Sequence, residues 1–231
     1  MPARAVVLLS GGLDSSTVLA IALSKGREVH ALTVDYGQRH RKEVDAAKRV
    51  AKHFSVRQHK ILKIDLTQIG GSALTDERVA VPEGRAREEM TRGIPVTYVP
   101  ARNTILLGVG LAFAESIDAD EIYIAANAVD YSGYPDCRPE FYDAFREVAR
   151  LGTKRGVEGR PIRIHTPLLR MTKADIVRTG AKLGVPFALT WSCYQGRARA
   201  CGVCDSCQLR RKGFREAGLE DPVPYAAPPK G

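Results

Sequence analysis

The 231-residue chain reads as an α/β protein, a parallel sheet with helices on both faces, followed by a small C-terminal zinc-binding subdomain. Three observations predict this. Short runs of β-branched and aliphatic residues alternate with amphipathic stretches of helical period, the pattern of strand–helix–strand units whose sheet is parallel. A turn rich in glycine and serine follows the first apolar run, and such sheets bind ligands at the carboxyl ends of their strands. Four cysteines crowd into residues 193–207, after the alternation has stopped.

Taken in order, residues 5–9 are a short apolar run that predicts the first strand, and residues 17–23 predict the helix after it, stopping near Gly26. Residues 28–34 predict a second buried strand. Residues 40–54 predict an amphipathic helix, with Val44, Ala47, Val50, Ala51 and Phe54 at helical spacing among Lys and Arg. Residues 60–66 predict the third strand. Residues 70–94 are polar, with Pro82, Gly84 and a charged run, and read as a long mobile excursion outside the core. A helix over 104–116 carries Gly108 and Gly110, where another backbone is expected to come close. A strand over 121–126, a helix over 140–151 behind Pro139, and a last strand over 163–168 follow. The helix over 173–183 has Thr172 as its cap and Gly184 as its stop. The change to cysteine, glycine and basic residues at Trp191 divides the chain into residues 1–190 and 191–231, and the Pro-rich end is a tail.

Composition narrows the function classes. Hydrophobic residues at 44% and charged residues at 26% argue against disorder. The longest apolar run, residues 105–113, holds two glycines and stops at Glu115, too short to span a bilayer. The run at residues 6–9 is soon interrupted by Asp14 with no cleavage pattern after it, so no secretory signal is expected and the location expected is the cytoplasm. Clustered cysteines in such a compartment bind metal more often than they form disulfides. The net charge of +9 suits anionic ligands, but the basic residues are scattered, as on a solvated surface.

The segment Leu8-Leu9-Ser10-Gly11-Gly12-Leu13-Asp14-Ser15-Ser16 lies between the first strand and the first helix. Paired glycines let the backbone turn sharply and approach a ligand. Serine hydroxyls and free N–H groups then sit at the positive end of a helix, an anion site. The ending lacks the Gly-Lys-Ser/Thr of a Walker loop, and the dinucleotide fingerprint is also absent. The segment resembles instead the Ser-Gly-Gly-x-Asp-Ser loop of the ATP pyrophosphatases. In that superfamily the loop holds the β,γ-pyrophosphate that leaves, so that the α-phosphate stays open to attack. The likeness implies ATP binding by Leu8, Leu9, Ser10, Gly11, Gly12, Leu13, Asp14, Ser15, Ser16, Thr17 and Val18. Asp14 and Ser15 are the expected catalytic residues, with Asp14 near Mg²⁺ or the pyrophosphate.

Cys193, Cys201, Cys204 and Cys207 form C-x7-C-x2-C-x2-C, four thiolates close enough to fill a tetrahedral shell, with Gly202 for the tight turn. Zinc is the expected ion and an iron–sulfur cluster the rival. A closed shell of four thiolates has no open position, so the metal is expected to be structural. Cys137 stands apart and reads as a small buried hydrophobe.

Nearly the whole chain resembles the 7-cyano-7-deazaguanine synthase (QueC) family of queuosine biosynthesis. The resemblance is carried by residues 9–16, Val34-Asp35-Tyr36-Gly37-Gln38-Arg39-His40, Val99-Pro100-Ala101-Arg102-Asn103, residues 134–141, Thr190-Trp191-Ser192-Cys193-Tyr194 and the cysteine knuckle. It implies an adenine nucleotide α-hydrolase-like fold and a ligase that joins 7-carboxy-7-deazaguanine and ammonia to make the nitrile. Two ATP molecules are consumed through adenylated acid and amide intermediates. Beyond the loop, Tyr36 reads either as a ring for base stacking or as core packing, Arg102 as facing the nucleotide or in a structural ion pair, and Asn103 as facing the nucleotide or as a helix cap. Asp136 reads as an acceptor for the guanine-like N–H edge, and Arg138 as a partner for a carboxylate or phosphate or in a structural ion pair. Expected partners are the small-molecule substrate and a second copy of the chain in a homodimer, with no membrane and no direct nucleic acid. A tRNA thiolase of the same superfamily would need reactive cysteines beyond the knuckle. With Pro2 after Met1, no N-terminal glutaminase cysteine is expected, and ammonia is expected to arrive free or from another protein. A nucleic-acid-binding zinc module leaves the phosphate loop unexplained.

Overall fold

A computed structural model describes residues 2–39, 41–90, 92–128 and 133–226. Five strands, β1 (Arg4–Leu8), β2 (Glu28–Asp35), β3 (Gln58–Lys63), β4 (Glu121–Tyr123) and β5 (Arg163–His165), form one sheet in the order β3-β2-β1-β4-β5, and every pairing is parallel. The helices among the described residues are α1 (Leu13–Ser24), α2 (Lys42–His53), α3 (Arg87–Met90), α4 (Arg102–Ser116), α5 (Pro139–Gly152), α6 (Lys154–Val157), α7 (Lys173–Lys182) and α8 (Asp205–Ala217).

The central strands are buried on both faces, which is why they read as unbroken apolar runs. Successive side chains still part to opposite sides. Val6, Leu8, Leu32, Val34 and Ile122 pack on one face with Leu107 and Leu111 of α4 and Tyr142 and Phe145 of α5. Ala5, Val7, Ala31 and Tyr123 pack on the other with Leu19 of α1, Val50 of α2, Ile176 of α7 and Phe214 of α8. The expected architecture is therefore present.

Several boundaries move for identifiable reasons. α1 begins at Leu13, four residues before the position at which its apolar pattern starts. Its serines and threonine are tolerated in the first turns because Ser16 Oγ donates to the Gly12 carbonyl and Thr17 Oγ1 to that of Leu13, so their hydroxyls do not compete for the helical N–H groups. β4 and β5 stop at Tyr123 and His165; Ile124 N–H still donates to the His165 carbonyl at 3.0 Å, and Ile124, Ala125 and Asn127 form the wall of a cavity. The expected start of α2 at His40 lies outside the described residues, as do residues 227–231 of the tail. Gly110 faces the side chains of Leu8 and Ile122 and not a backbone, while Gly108 has nothing near it.

Two readings are corrected. Residues 70–94 do not stay outside the core: Ala73, Leu74, Val81 and Met90 are buried, and the Arg39 guanidinium holds the segment by donating to the carbonyls of Ala73, Glu77 and Val79. Gly84 N–H donates to the Val203 carbonyl at 2.8 Å and Arg85 pairs with buried Asp205, so the segment braces the cysteine region. Its apolar residues are too sparse to show a period. α8 was also not anticipated, because Asp205–Ala217 is mostly polar and basic. It is held by Phe214 against Phe187, with ring centroids 5.0 Å apart, and by buried Arg210, which donates to Thr190, to the Phe187 carbonyl and to Asp221. The cysteine residues share one apolar cluster with the sheet residues Val6 and Leu8.

At the end of the sheet opposite the glycine- and serine-rich loop, Glu121 of β4 is 1% exposed. Burial alone would raise its pKa. Hydrogen bonds from Arg27 (2.8 and 3.1 Å), Arg163 (2.9 Å) and Tyr123 (3.0 Å) more than reverse this and hold it at about 2, below the usual 4.5. A lowered carboxylate pKa stabilises the fold above pH 4.5, and the contribution is lost as pH falls toward 2. By linkage the loss is on the order of 3 kcal/mol. Glu121→Gln is therefore expected to be less stable at pH 7 and to lack that part of the acid dependence, measured by urea unfolding between pH 2.5 and 7.

Candidate active site

The carboxyl ends of β1 and β2 open on a cavity of about 290 Å³. Its floor is the loop between β1 and α1. Gly11 adopts φ +83°, and a Cβ there would lie 2.4 Å from the Ala47 nitrogen and from the Glu43 carbonyl oxygen, so only glycine lets the loop press against α2. The Gly11 carbonyl accepts from the Trp191 N–H at 2.9 Å. Ser15 Oγ bonds Ser10 Oγ at 2.9 Å and accepts from Ser10 N–H at 3.2 Å, which closes the turn. Leu8, Leu9, Ser10, Gly12, Leu13, Asp14 and Ser15 line the cavity; Gly11, Ser16, Thr17 and Val18 lie behind it and hold the loop in shape.

Asp14 is met by a residue that sequence reasoning did not single out. Lys173 Nζ lies 2.7 and 2.9 Å from the two Asp14 carboxylate oxygens, and both line the cavity. The signal was available: a lysine in the first turn of α7 faces the positive end of that helix, an unfavourable place unless an anion sits before it. The cap itself is as expected, a reciprocal pairing of Thr172 with Asp175.

Of the expected substrate residues, Tyr36, Arg102 and Asn103 line the cavity, whereas Asp136 and Arg138 do not. Arg102 opens α4 directly after Ala101, whose φ of +52° is strained for a side-chain-bearing residue, and its guanidinium lies 6.0 Å from the Tyr36 ring centre and 5.9 Å from that of Tyr134. Burial opposes its charge, but Tyr36, Tyr134, Cys137 and Asp136 outweigh this and raise its pKa. Asn103 is used internally, donating through Nδ2 to the Asp136 carbonyl at 2.9 Å. Asp136 is 4% exposed and its carboxylate accepts the Asn103 backbone N–H at 3.0 Å, at the start of α4. Arg138 is exposed and donates to the Pro135 carbonyl. Cys137 lines the cavity as a thiol: burial, then Asp136, push its pKa up to about 11.

Glu43 is the second residue not anticipated. It sits in the first turn of α2 and lines the cavity. Its signal was its phase, since positions 43, 47, 50 and 54 share the apolar face of that helix. Burial, only partly offset by Arg102, lifts its pKa to about 7.

The sulfur atoms of Cys193, Cys201, Cys204 and Cys207 all lie within 4.8 Å of one another, and all four residues are buried. Cys193 Sγ accepts from the N–H groups of Cys201 (3.2 Å) and Gln195 (3.4 Å), and Cys201 Sγ from that of Cys204 (3.3 Å). Backbone donors aimed at sulfur stabilise thiolates, and the donor set is complete without any other residue, so the cluster fits a metal ion in a closed site. Trp191 joins this cluster to the loop: its ring N–H donates to the Cys193 carbonyl at 2.9 Å, and Lys42 Nζ lies 4.4 Å from its ring centre.

A parallel sheet with a serine- and glycine-rich loop at the end of β1 is the fold expected of the PP-loop, adenine nucleotide α-hydrolase-like class. Among solved structures, a 4-thiouridine synthetase in an RNA complex with bound ATP is similar over 94% of this chain and 50% of that one, with a TM-score of 0.50 and 16% identity, a likeness of fold alone. Sequence comparison is more specific. The family model described as queuosine biosynthesis protein QueC matches residues 4–218. The chain is 59% identical over 224 residues to a 7-cyano-7-deazaguanine synthase of Anaeromyxobacter dehalogenans (strain 2CP-C), covering 96% of each chain. It is 58% identical to the one of Saccharophagus degradans (strain 2-40 / ATCC 43961 / DSM 17024), over 96% of this chain and 98% of the relative. It is 56% identical to the one of Nostoc punctiforme (strain ATCC 29133 / PCC 73102), over 96% and 100%. The chain belongs to the QueC family of queuosine biosynthesis.

Gly11→Ala tests the loop's geometry. A side chain at a left-handed φ costs about 1–2 kcal/mol, and the clash with the α2 backbone adds to it. The variant is expected to lose more than about 2 kcal/mol in chemical denaturation, whereas Gly108→Ala, in open space, should be neutral or stabilising.

Proposed function

We propose that the chain is an ATP-dependent ligase that converts 7-carboxy-7-deazaguanine and ammonia into 7-cyano-7-deazaguanine. The observation that carries the reading is the adjacency of the anion loop, with its Asp14–Lys173 pair, to an aromatic-walled cavity holding Arg102. The substrate carboxylate attacks the α-phosphate of ATP, forming an acyl-adenylate and releasing pyrophosphate. Ammonia then attacks the acyl carbon, a proton is lost, and AMP leaves the amide. A second ATP is attacked by the amide oxygen, again releasing pyrophosphate, and loss of AMP with the remaining N–H protons leaves the nitrile.

ATP supplies the activation, so the protein's work is positioning and charge stabilisation. Ser10, Gly12 and Ser15 cradle the departing pyrophosphate at the start of α1. Lys173 offers its ammonium to the same charge. Arg102 places the carboxylate before the α-phosphate, and Tyr36 and Tyr134 stack beside the ring. Asp14, 29% exposed at the cavity wall, is the carboxylate that would hold Mg²⁺, an ion bound by few protein carboxylates together with phosphates and water. Mg²⁺ there would share the phosphate charge.

The four thiolates of residues 191–231 would hold zinc, which staples this segment to α2 and the phosphate loop and takes no part in the reaction. No helix among the described residues is long and apolar enough to cross a membrane. The small-molecule substrate is the ground for proposing a cytoplasmic enzyme that acts without a membrane or nucleic-acid partner. A homodimer is proposed as well; exposed Thr104, Gly108 and Ala112 on one face of α4 are small enough for close helix approach.

Incubation of the protein with Mg-ATP, ammonium and the acid, followed by chromatography with mass detection, is expected to yield the nitrile with two AMP per turnover. Asp14→Ala and Lys173→Ala should each lower the rate by on the order of 100-fold or more. ADP as the nucleotide product, or no consumption of the acid, would overturn the reading.

A further inference from the structure

We propose that Glu43 reads the N–H edge of the substrate's pyrimidinone ring, pairing with the ring N–H and the exocyclic amine, and so sets specificity for a 2-amino-purine-like ring. The inference rests on the substrate reading given above. Glu43 and Arg102, an acid and a base, line one cavity, yet among the described residues neither is engaged in an ion pair, and no hydrogen bond takes up the Glu43 carboxyl group. Elsewhere the chain pairs its buried acids closely, as with Glu121 and Arg27 or Asp205 and Arg85. A carboxylate left without a partner in a cavity that Tyr36, Tyr134 and Trp191 also line is an acceptor open to a ligand.

A planar bicyclic ligand with an anionic substituent at one end and two N–H donors at the other offers a partner to each of Arg102 and Glu43. Its carboxylate meets Arg102 next to the reacting α-phosphate, and its donor edge meets Glu43. The ring lies between them along Tyr36 and Tyr134. Asp14 faces Lys173, and Asp136, a third acid near the site, has its carboxylate committed to the Asn103 N–H and does not line the cavity.

The test compares 7-carboxy-7-deazaguanine with 7-carboxy-7-deazahypoxanthine, which lacks the exocyclic amine, by calorimetric binding to the full chain. Wild type is expected to favour the guanine-type ring by on the order of 10- to 100-fold, the discrimination a charged hydrogen-bond partner supplies. Glu43→Ala should bind both rings alike, and Glu43→Gln, which keeps the shape and one acceptor, should retain a reduced preference. Arg102→Gln should weaken both rings equally and leave the preference intact. A Glu43→Ala or Glu43→Gln variant that discriminates as wild type does would overturn the assignment while leaving the proposed reaction standing. Wild type that binds neither ring would overturn the substrate reading instead.

Discussion

The candidate site depends on one contact, the wedging of Gly11 between the first turn of α2 and the Trp191 backbone. No other residue type fits there, because the Ala47 nitrogen and Glu43 carbonyl stand where a Cβ would be. The contact sets the height of the phosphate loop above the sheet. It also fixes α2 so that Glu43 faces the cavity, and ties Trp191, and through it the cysteine cluster, to the loop. A cysteine cluster that could hold a metal ion, far away in sequence, is thereby part of the scaffold that shapes the loop near the N-terminus.

The charges of the cavity are distributed in a way that suits a reaction at phosphorus. Asp14 and Lys173 neutralise one another at the loop, so under the proposed reaction an incoming polyphosphate would find a cation already in place without facing a bare carboxylate. Arg102 is kept charged by the tyrosines around it despite burial, and cation–π contact of this kind costs it no hydrogen-bond donor. Glu121, in contrast, is locked into arginines at the far end of the sheet, where its charge supports stability and cannot compete for the ligand.

Much of this was legible in the sequence, for physical reasons that can be named. The buried strands announced themselves by unbroken apolar runs, the loop by its glycines and serines, and the metal cluster by its spacing, since each depends on local chemistry. The partnership of Lys173 with Asp14 spans 159 residues and left only a trace, a cation at the wrong end of a helix. Glu43 left a similar trace, a charge on an apolar face. Residues 70–94 and α8 were misjudged because their burial comes from a few side chains and from guanidinium contacts with distant carbonyls and carboxylates, which carry no period. Asp136 looked like a ligand-facing acid in sequence, and its commitment to the α4 backbone is visible only in three dimensions.

The account's central claim is that the substrate's own oxygen attacks the α-phosphate. The most direct measurement is turnover of substrate labelled with ¹⁸O in both carboxyl oxygens, with mass analysis of the nucleotide product. The account predicts AMP carrying one labelled oxygen from each of the two adenylations, and unlabelled pyrophosphate. Label in orthophosphate beside ADP, or AMP free of label, would contradict it.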